Sequence, residues 1–375
     1  MHILIAPNAF KNSLDAIGVA DVIAKGLKQS RLDCTTECFP IADGGDGTGS
    51  LIVERCKGIR IQQEVHDPIG RKIASSFGLI EDGKTAIIEV ADASGLRLLA
   101  KDERNPMIAS SYGTGELVKA ALNKGANRII IAMGGSATVD GGCGILNAVG
   151  INFLDAEGKQ LRVMPGELIG VDRIDTSGLD ERIAVTEIVI LCDVSNNLLG
   201  PQGAAAVYGP QKGASPDDVE FLDTFLENFV AVTSAQTGQN IDEIKYGGAA
   251  GGASAGLYAW LGAKLVNGID YFLTLTDFDK ALNRADLVIT GEGSIDSQTL
   301  QGKGPFGVAV RAKAKGIPVI GLGGIVEPNK EMEDYFDELI CINPEPVDIA
   351  VAMKNTKANL VKTAQIIGDR ITSIN

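Results

Sequence analysis

The stretch DLVITGEGSIDSQTLQGKGPFGVAVRAKAKGIPVIGL, residues 286–322, decides how the chain is built. It opens on an apolar, β-branched run over 287–290 that reads as a buried strand. The run empties into a loop holding Gly291, Glu292, Gly293, Asp296, Lys303 and three hydroxyl residues. A helical pattern over 306–315 follows, and a second short apolar strand occupies 318–322. Strand, helix and strand at this spacing make a βαβ unit, and βαβ units make parallel sheets. Two carboxylates and a lysine at the exit of a buried strand call for a chemical reason.

The same alternation holds at both ends of the chain. HILIA (2–6) is strand-like, and 15–29 carries Ile17, Ala20, Ile23, Ala24 and Leu27 at helical spacing. ELICI (338–342) is a further strand, and an amphipathic pattern from Val347 to about Ile371 closes the chain. The middle differs. Residues 60–91 and 151–192 hold short strands close together, among them KTAIIEVAD and EIVILCDV, with few helices between. The expected fold is α/β: a doubly wound, Rossmann-like parallel-sheet domain from 1–65 plus 281–375, interrupted by a mixed α/β domain over 66–280. Ser13 is expected to cap the first helix.

Composition narrows the function. The chain has 375 residues, 45% hydrophobic and 22% charged, which is ordinary for a globular protein. The net charge of −14 argues against nucleic acid, whose phosphates select basic surfaces. A local cluster of donors can still bind a small anion. The opening residues lack a basic, apolar signal-peptide pattern, and the longest uncharged stretches are Gly- and Ala-rich, so cytoplasmic location without membrane insertion is expected. Six scattered cysteines and two histidines make structural zinc improbable; reduced thiols are expected.

Glycine-rich segments recur after apolar runs. IAPNAFKNSLDA places Lys11 behind the first strand, and PIADGGDGTGS sets Asp43 and Asp46 among glycines. IIIAMGGSATVDGGCG carries Gly134, Gly135, Ser136, Thr138 and Asp140; VILCDVSNNLLG ends its strand at Asp193; YGPQKGAS holds Lys212. Glycines let backbone N–H groups approach a ligand closely, and a helix N-terminus adds partial positive charge, which suits phosphates. Carboxylates nearby suit Mg²⁺, and in open α/β sheets such loops gather at the carboxyl ends of the strands. Taken singly, each loop is as well explained as a turn. The P-loop, protein-kinase and dinucleotide signatures are all missing, as is a Ser-His-Asp pattern. The residues themselves lead to a phosphate-handling α/β enzyme.

In order and spacing, APNAFK, ADGGDGT, SYGTGEL, GGSATVDGG, CDVSN, GPQKGA, GAAGG and DLVITGEGSIDSQTLQGKGP resemble the type-1 glycerate kinases over nearly the whole chain. The resemblance implies Mg²⁺-dependent transfer of phosphate from ATP to D-glycerate, with 2-phosphoglycerate the more usual product, in a cleft between two α/β domains. It suggests that Gly134, Gly135, Ser136, Thr138, Gly291 and Gly293 cradle ATP phosphates through backbone N–H groups. Asp193 and Asp296 are candidates for metal ligand and for proton-accepting base, without distinction between them. Lys11, Lys212 and Lys303 are candidates to neutralise phosphate or bind the glycerate carboxylate, and Arg71 is a further substrate-binding candidate. The chain departs from the family pattern at Asn8 and Ala9, where Asp and Ser are usual, at Asp46 for Glu and at Ser294 for Arg. A kinase for another small hydroxy acid, or a non-catalytic ligand-binding relative, are the alternative readings.

Overall fold

The computed structural model describes residues 1–297, 299–327, 330–343 and 348–374. The chain forms two compact units, one from Met1–Asp43 with Ile269–Asn375 and one from Gly44–Gly268. The chain thus leaves the first unit at 43–44 and returns at 268–269, where the sequence placed the crossings near 66 and 280. Its strands are, in chain order, β1 (His2–Ile5), β2 (Thr35–Cys38), β3 (Ile59–His66), β4 (Lys72–Ile80), β5 (Thr85–Glu89), β6 (Arg128–Ala132), β7 (Asn152–Leu154), β8 (Arg173–Asp175), β9 (Glu187–Cys192), β10 (Lys264–Asn267), β11 (Leu287–Ile295), β12 (Val319–Val326) and β13 (Glu338–Cys341).

In the first unit, β1 pairs in parallel with β2 and β11, β11 with β12, and β12 with β13. The sheet order is β13-β12-β11-β1-β2. Counted within the unit this is 2-1-3-4-5, a doubly wound sheet whose order reverses between β1 and β11. One face buries Ile3, Ile5, Leu287, Ile289, Ile320 and Leu322 against Val19, Ile23 and Leu27 of helix Ala16–Gln29 and Leu360, Ala364 and Ile367 of helix Ile349–Ile374. These two helices touch closely: a β-carbon on Gly26 would fall 2.3 Å from the Val361 carbonyl oxygen. Val347, the expected start of the closing helical pattern, lies outside the described residues, as does Gln298 of the 286–322 stretch.

Two local expectations are corrected. Asp15, not Ser13, caps the first helix: its carboxylate accepts from the Gly18 N–H at 2.7 Å, while the Ser13 hydroxyl donates to the Met353 carbonyl. The strand read as ending at Thr290 continues to Ile295, because β12 extends equally far and pairs it throughout, from Val288 with Val319 to Ile295 with Val326. Gly291 and Glu292 are ladder residues opposite Leu322 and Gly323, so 291–293 is strand and not loop. A β-carbon on Gly291 would meet the Leu322 oxygen at 2.2 Å, so the glycine is required by its neighbouring strand.

The second unit is built on a mixed sheet of order β10-β9-β6-β5-β4-β3. β3, β4 and β5 run antiparallel in sequence, and β5, β6, β9 and β10 are parallel. β7 and β8 form a separate antiparallel pair. Its core gathers Ile88, Ile129, Ile131 and Ile190 with Leu117, Leu146, Phe225 and Phe229. The carboxyl ends of β5, β6 and β9 deliver Glu89, the 133–138 segment and Asp193 to the same edge of the sheet. Among the described residues, no helix is long and apolar enough to cross a membrane.

Candidate active site

The order reversal in the first unit falls between β1 and β11, and the carboxyl ends of the strands at such a reversal are where doubly wound sheets bind ligands. β1 leads into Asn8 and Lys11, the segment after β2 ends at Asp43, and β11 supplies Glu292 and Asp296. Asp43 accepts from the Asn8 side-chain amide at 2.9 Å and from the Gly304 N–H at 3.3 Å. Gly304 begins helix Gly304–Ala314, so a carboxylate sits against a helix N-terminus, where the dipole favours negative charge. Asp296 accepts from the Ser294 hydroxyl at 3.0 Å, and the Lys303 ammonium lies 3.9 Å from its other oxygen. Thr299 ties the group together: its hydroxyl oxygen receives the Asp296 N–H and its proton goes to Glu292 at 3.0 Å.

Glu292 shares a sheet face with Thr290 and Ser294 and is 8% exposed. Burial pushes its pKa up to about 7; Asp43 adds to the rise, while Lys303, the Thr299 hydrogen bond and Lys11 oppose it. It is a functional candidate that the sequence displayed but did not single out. Its burial follows from the extension of β11, and the apolar run that would signal a strand stops at Thr290.

A second polar group lies in the other unit, at the ends of β6 and β9. Lys212 is buried, and its ammonium donates to the Ser136 hydroxyl at 2.9 Å and the Thr138 carbonyl at 2.7 Å. Burial lowers its pKa to about 7 against the pull of Asp140 and Asp193. Asp140 is saturated by the Ser111 N–H and hydroxyl and the Gly142 and Gly144 N–H groups, which marks it as an organiser of the loop. The Thr138 hydroxyl oxygen is buried and has no hydrogen-bond partner among the described residues.

The glycine loop here is narrower than expected as a phosphate cradle. The Gly134 N–H is already given to the Gly44 carbonyl, and the Ala137 N–H to Ser94. A β-carbon at Gly134 would meet Gly45 Cα at 2.4 Å, whereas Gly135 needs its glycine for a φ of +74°. Nearby, Glu89 caps the start of helix Thr48–Arg55 through the Gly47 and Ser50 N–H groups.

The structure therefore brings Ser136, Thr138, Lys212 and the charge of Asp193 together in one unit, and Lys11, Asp296 and Lys303 together in the other. Arg71 joins neither group. Its guanidinium pairs with Asp67 and Glu103 and donates to the Leu98 carbonyl, a clamp between surface segments. Gly291 and Gly293 belong to the first group by position but, as strand residues, do not form a loop.

The sequence profile of the glycerate kinase family matches residues 3–372. The chain is 42% identical over 373 residues to the glycerate kinase of Bacillus subtilis (strain 168), covering 99% of this chain and 98% of that one. It is 43% identical over 324 residues to the glycerate 2-kinase of Escherichia coli (strain K12), covering 86% and 85% respectively. A crystal structure from Salmonella typhimurium LT2, named for glycerate kinase 2, superposes with a TM-score of 0.84 at 40% identity, covering 100% of this chain and 98% of that one. With its doubly wound first unit, its polar strand ends and this likeness along its whole length, the chain belongs to the glycerate kinase family.

Proposed function

We propose that this protein transfers the terminal phosphoryl group of ATP to a hydroxyl of D-glycerate, with Mg²⁺, and that 2-phosphoglycerate is the product. The observation that carries this reading is the group at the order reversal of the first unit. There two lysines, two aspartates, a glutamate and a helix N-terminus meet at the ends of β1 and β11. The name of the Escherichia coli relative supports the 2-phospho product. Location in the cytoplasm goes with this reading.

Phosphoryl transfer asks a protein mainly for positioning and charge stabilisation. Lys303 and Lys11 supply movable positive charge at one group, and Lys212 at the other. Among the described residues, no three His, Cys, Asp or Glu side chains gather as a self-sufficient metal site. Mg²⁺ does not need one, since it is commonly held by one or two carboxylates together with substrate phosphates and water. Asp296 is the carboxylate assigned to it, with Asp193 the alternative; when bound, the ion would neutralise charge developing on the phosphate oxygens. Ser136, Thr138 and the Gly135 backbone are assigned to phosphate.

The test is ADP release with Mg²⁺-ATP against D-glycerate, L-glycerate and related hydroxy acids, with the product identified by NMR. Strong turnover dependent on D-glycerate is expected. Turnover with a different acceptor would transfer the proposal to that acid, and binding without nucleotide consumption would replace it with a non-catalytic role.

A further inference from the structure

Four carboxylates are buried among the described residues, and three of them are saturated. Asp140 takes four hydrogen bonds, Asp67 is held by the Ile69 and Arg71 N–H groups and the Arg71 guanidinium, and Glu89 by the Gly47 and Ser50 N–H groups with the Ser50 hydroxyl. Glu292, the only buried carboxylate of the first unit, has one hydrogen bond among the described residues, from Thr299 to Oε1. A carboxylate so largely withdrawn from water and held by a single hydrogen bond is costly, and folds keep such groups where chemistry uses them. Glu292 stands at the carboxyl end of β11, beside the order reversal, with Lys303, Lys11 and Asp43 as its charged neighbours.

We propose that Glu292 is the catalytic base: it accepts the proton of the acceptor hydroxyl, a role for which the sequence offered Asp193 and Asp296. This rests on the phosphoryl-transfer reading. The acceptor oxygen forms its bond to the terminal phosphorus as the bond from that phosphorus to the bridging oxygen breaks. The bridging oxygen leaves with its electron pair on ADP. The hydroxyl proton moves to Glu292 Oε2 and is later lost to solvent. Thr299 is a positioning residue that holds Oε1 and so aims Oε2. The carboxyl's pKa of about 7 matches this task, because a base works best when its pKa lies near the operating pH. Asp296, with Ser294 and Lys303 on its two oxygens, is left to the metal.

The experiment compares wild type with Glu292→Gln, which keeps the side-chain volume and an acceptor for the Thr299 hydroxyl but has no basicity. The expected result is a kcat lower by about 10²–10⁴-fold, with glycerate and nucleotide Kd by calorimetry within about twofold of wild type. Wild-type kcat should fall tenfold per pH unit below about 7, and this acid limb should vanish from the residual rate of the variant. Glu292→Asp, which retains a base on a shorter arm, should recover part of the loss, and Thr299→Val should lower kcat without raising KM. A Glu292→Gln enzyme with kcat within fivefold of wild type, and the same acid limb, overturns the proposal while the kinase reading stands. A folded wild type that releases no ADP with any acceptor removes the kinase reading and this role with it.

Discussion

Glu292 couples function to stability in a way that can be measured without substrate. Its folded pKa is raised from 4.5 to about 7, so the folded state holds this proton more tightly than the unfolded one. The stabilisation is complete below pH 4.5 and is lost as pH rises through 7. A shift of this size corresponds to on the order of 3 kcal/mol. Urea denaturation at pH 5 and pH 8 should therefore show Glu292→Gln gaining on wild type at the higher pH by up to about that amount. A difference that does not change with pH would mean that the carboxyl is not perturbed in the native protein. Asp296 makes the contrasting case. It is half-buried and bonded by Ser294, so Asp296→Asn should leave the melting temperature within a few degrees while kcat falls by at least about 10²-fold if the carboxylate holds the metal. Near-normal turnover would take Asp296 out of the site. The charges of Lys11, Glu292, Asp296 and Lys303 could be read in the sequence as standing past apolar strands, with Glu292 and Lys303 each flanked by glycines. The burial of Glu292 and the Asn8–Asp43 hydrogen bond could not, because each depends on which neighbours a strand end meets.

Among the elements, β11 is where the sequence pattern and the structure part. Its apolar run ends at Thr290, and the glycines that follow carry no periodicity, yet the strand runs five residues further because β12 pairs with it as far as Val326. Glycine in a strand commonly marks a close approach of backbone, and Gly291 against the Leu322 carbonyl is such a case. Gly291→Ala separates the two meanings of that glycine. As a ladder residue it should lose roughly 1–3 kcal/mol of stability in urea titration, from overpacking against β12. As a phosphate-binding loop glycine it would instead raise the KM for ATP with little change in stability. Helix starts were also read one step away from their physical cause. Ser13 has the chemistry of a cap, but Asp15 holds it, since its carboxylate reaches the Gly18 N–H while Ser13 is drawn to the C-terminal helix.

For the whole molecule, an acidic protein has to handle acidic substrates. The net charge of −14 repels anions at long range, and the lysines of the two polar groups attract them only locally. Salt screens the long-range term first, since the Debye length is about 10 Å at 0.1 M ionic strength. Raising KCl at constant free Mg²⁺ should thus leave kcat/KM for the hydroxy acid level or modestly higher. A steep fall would show that attraction by a wider basic surface governs capture. The sequence by itself determined the α/β class, the parallel first sheet and the family, because hydrophobic periodicity and ordered motifs are local properties that survive without coordinates. Only the tertiary structure decided which strand ends meet, that β11 carries Glu292 past its apolar run, and that Arg71 pairs with Asp67 and Glu103. Burial, partner count and pKa are set by residues distant along the chain, and no window of sequence contains them.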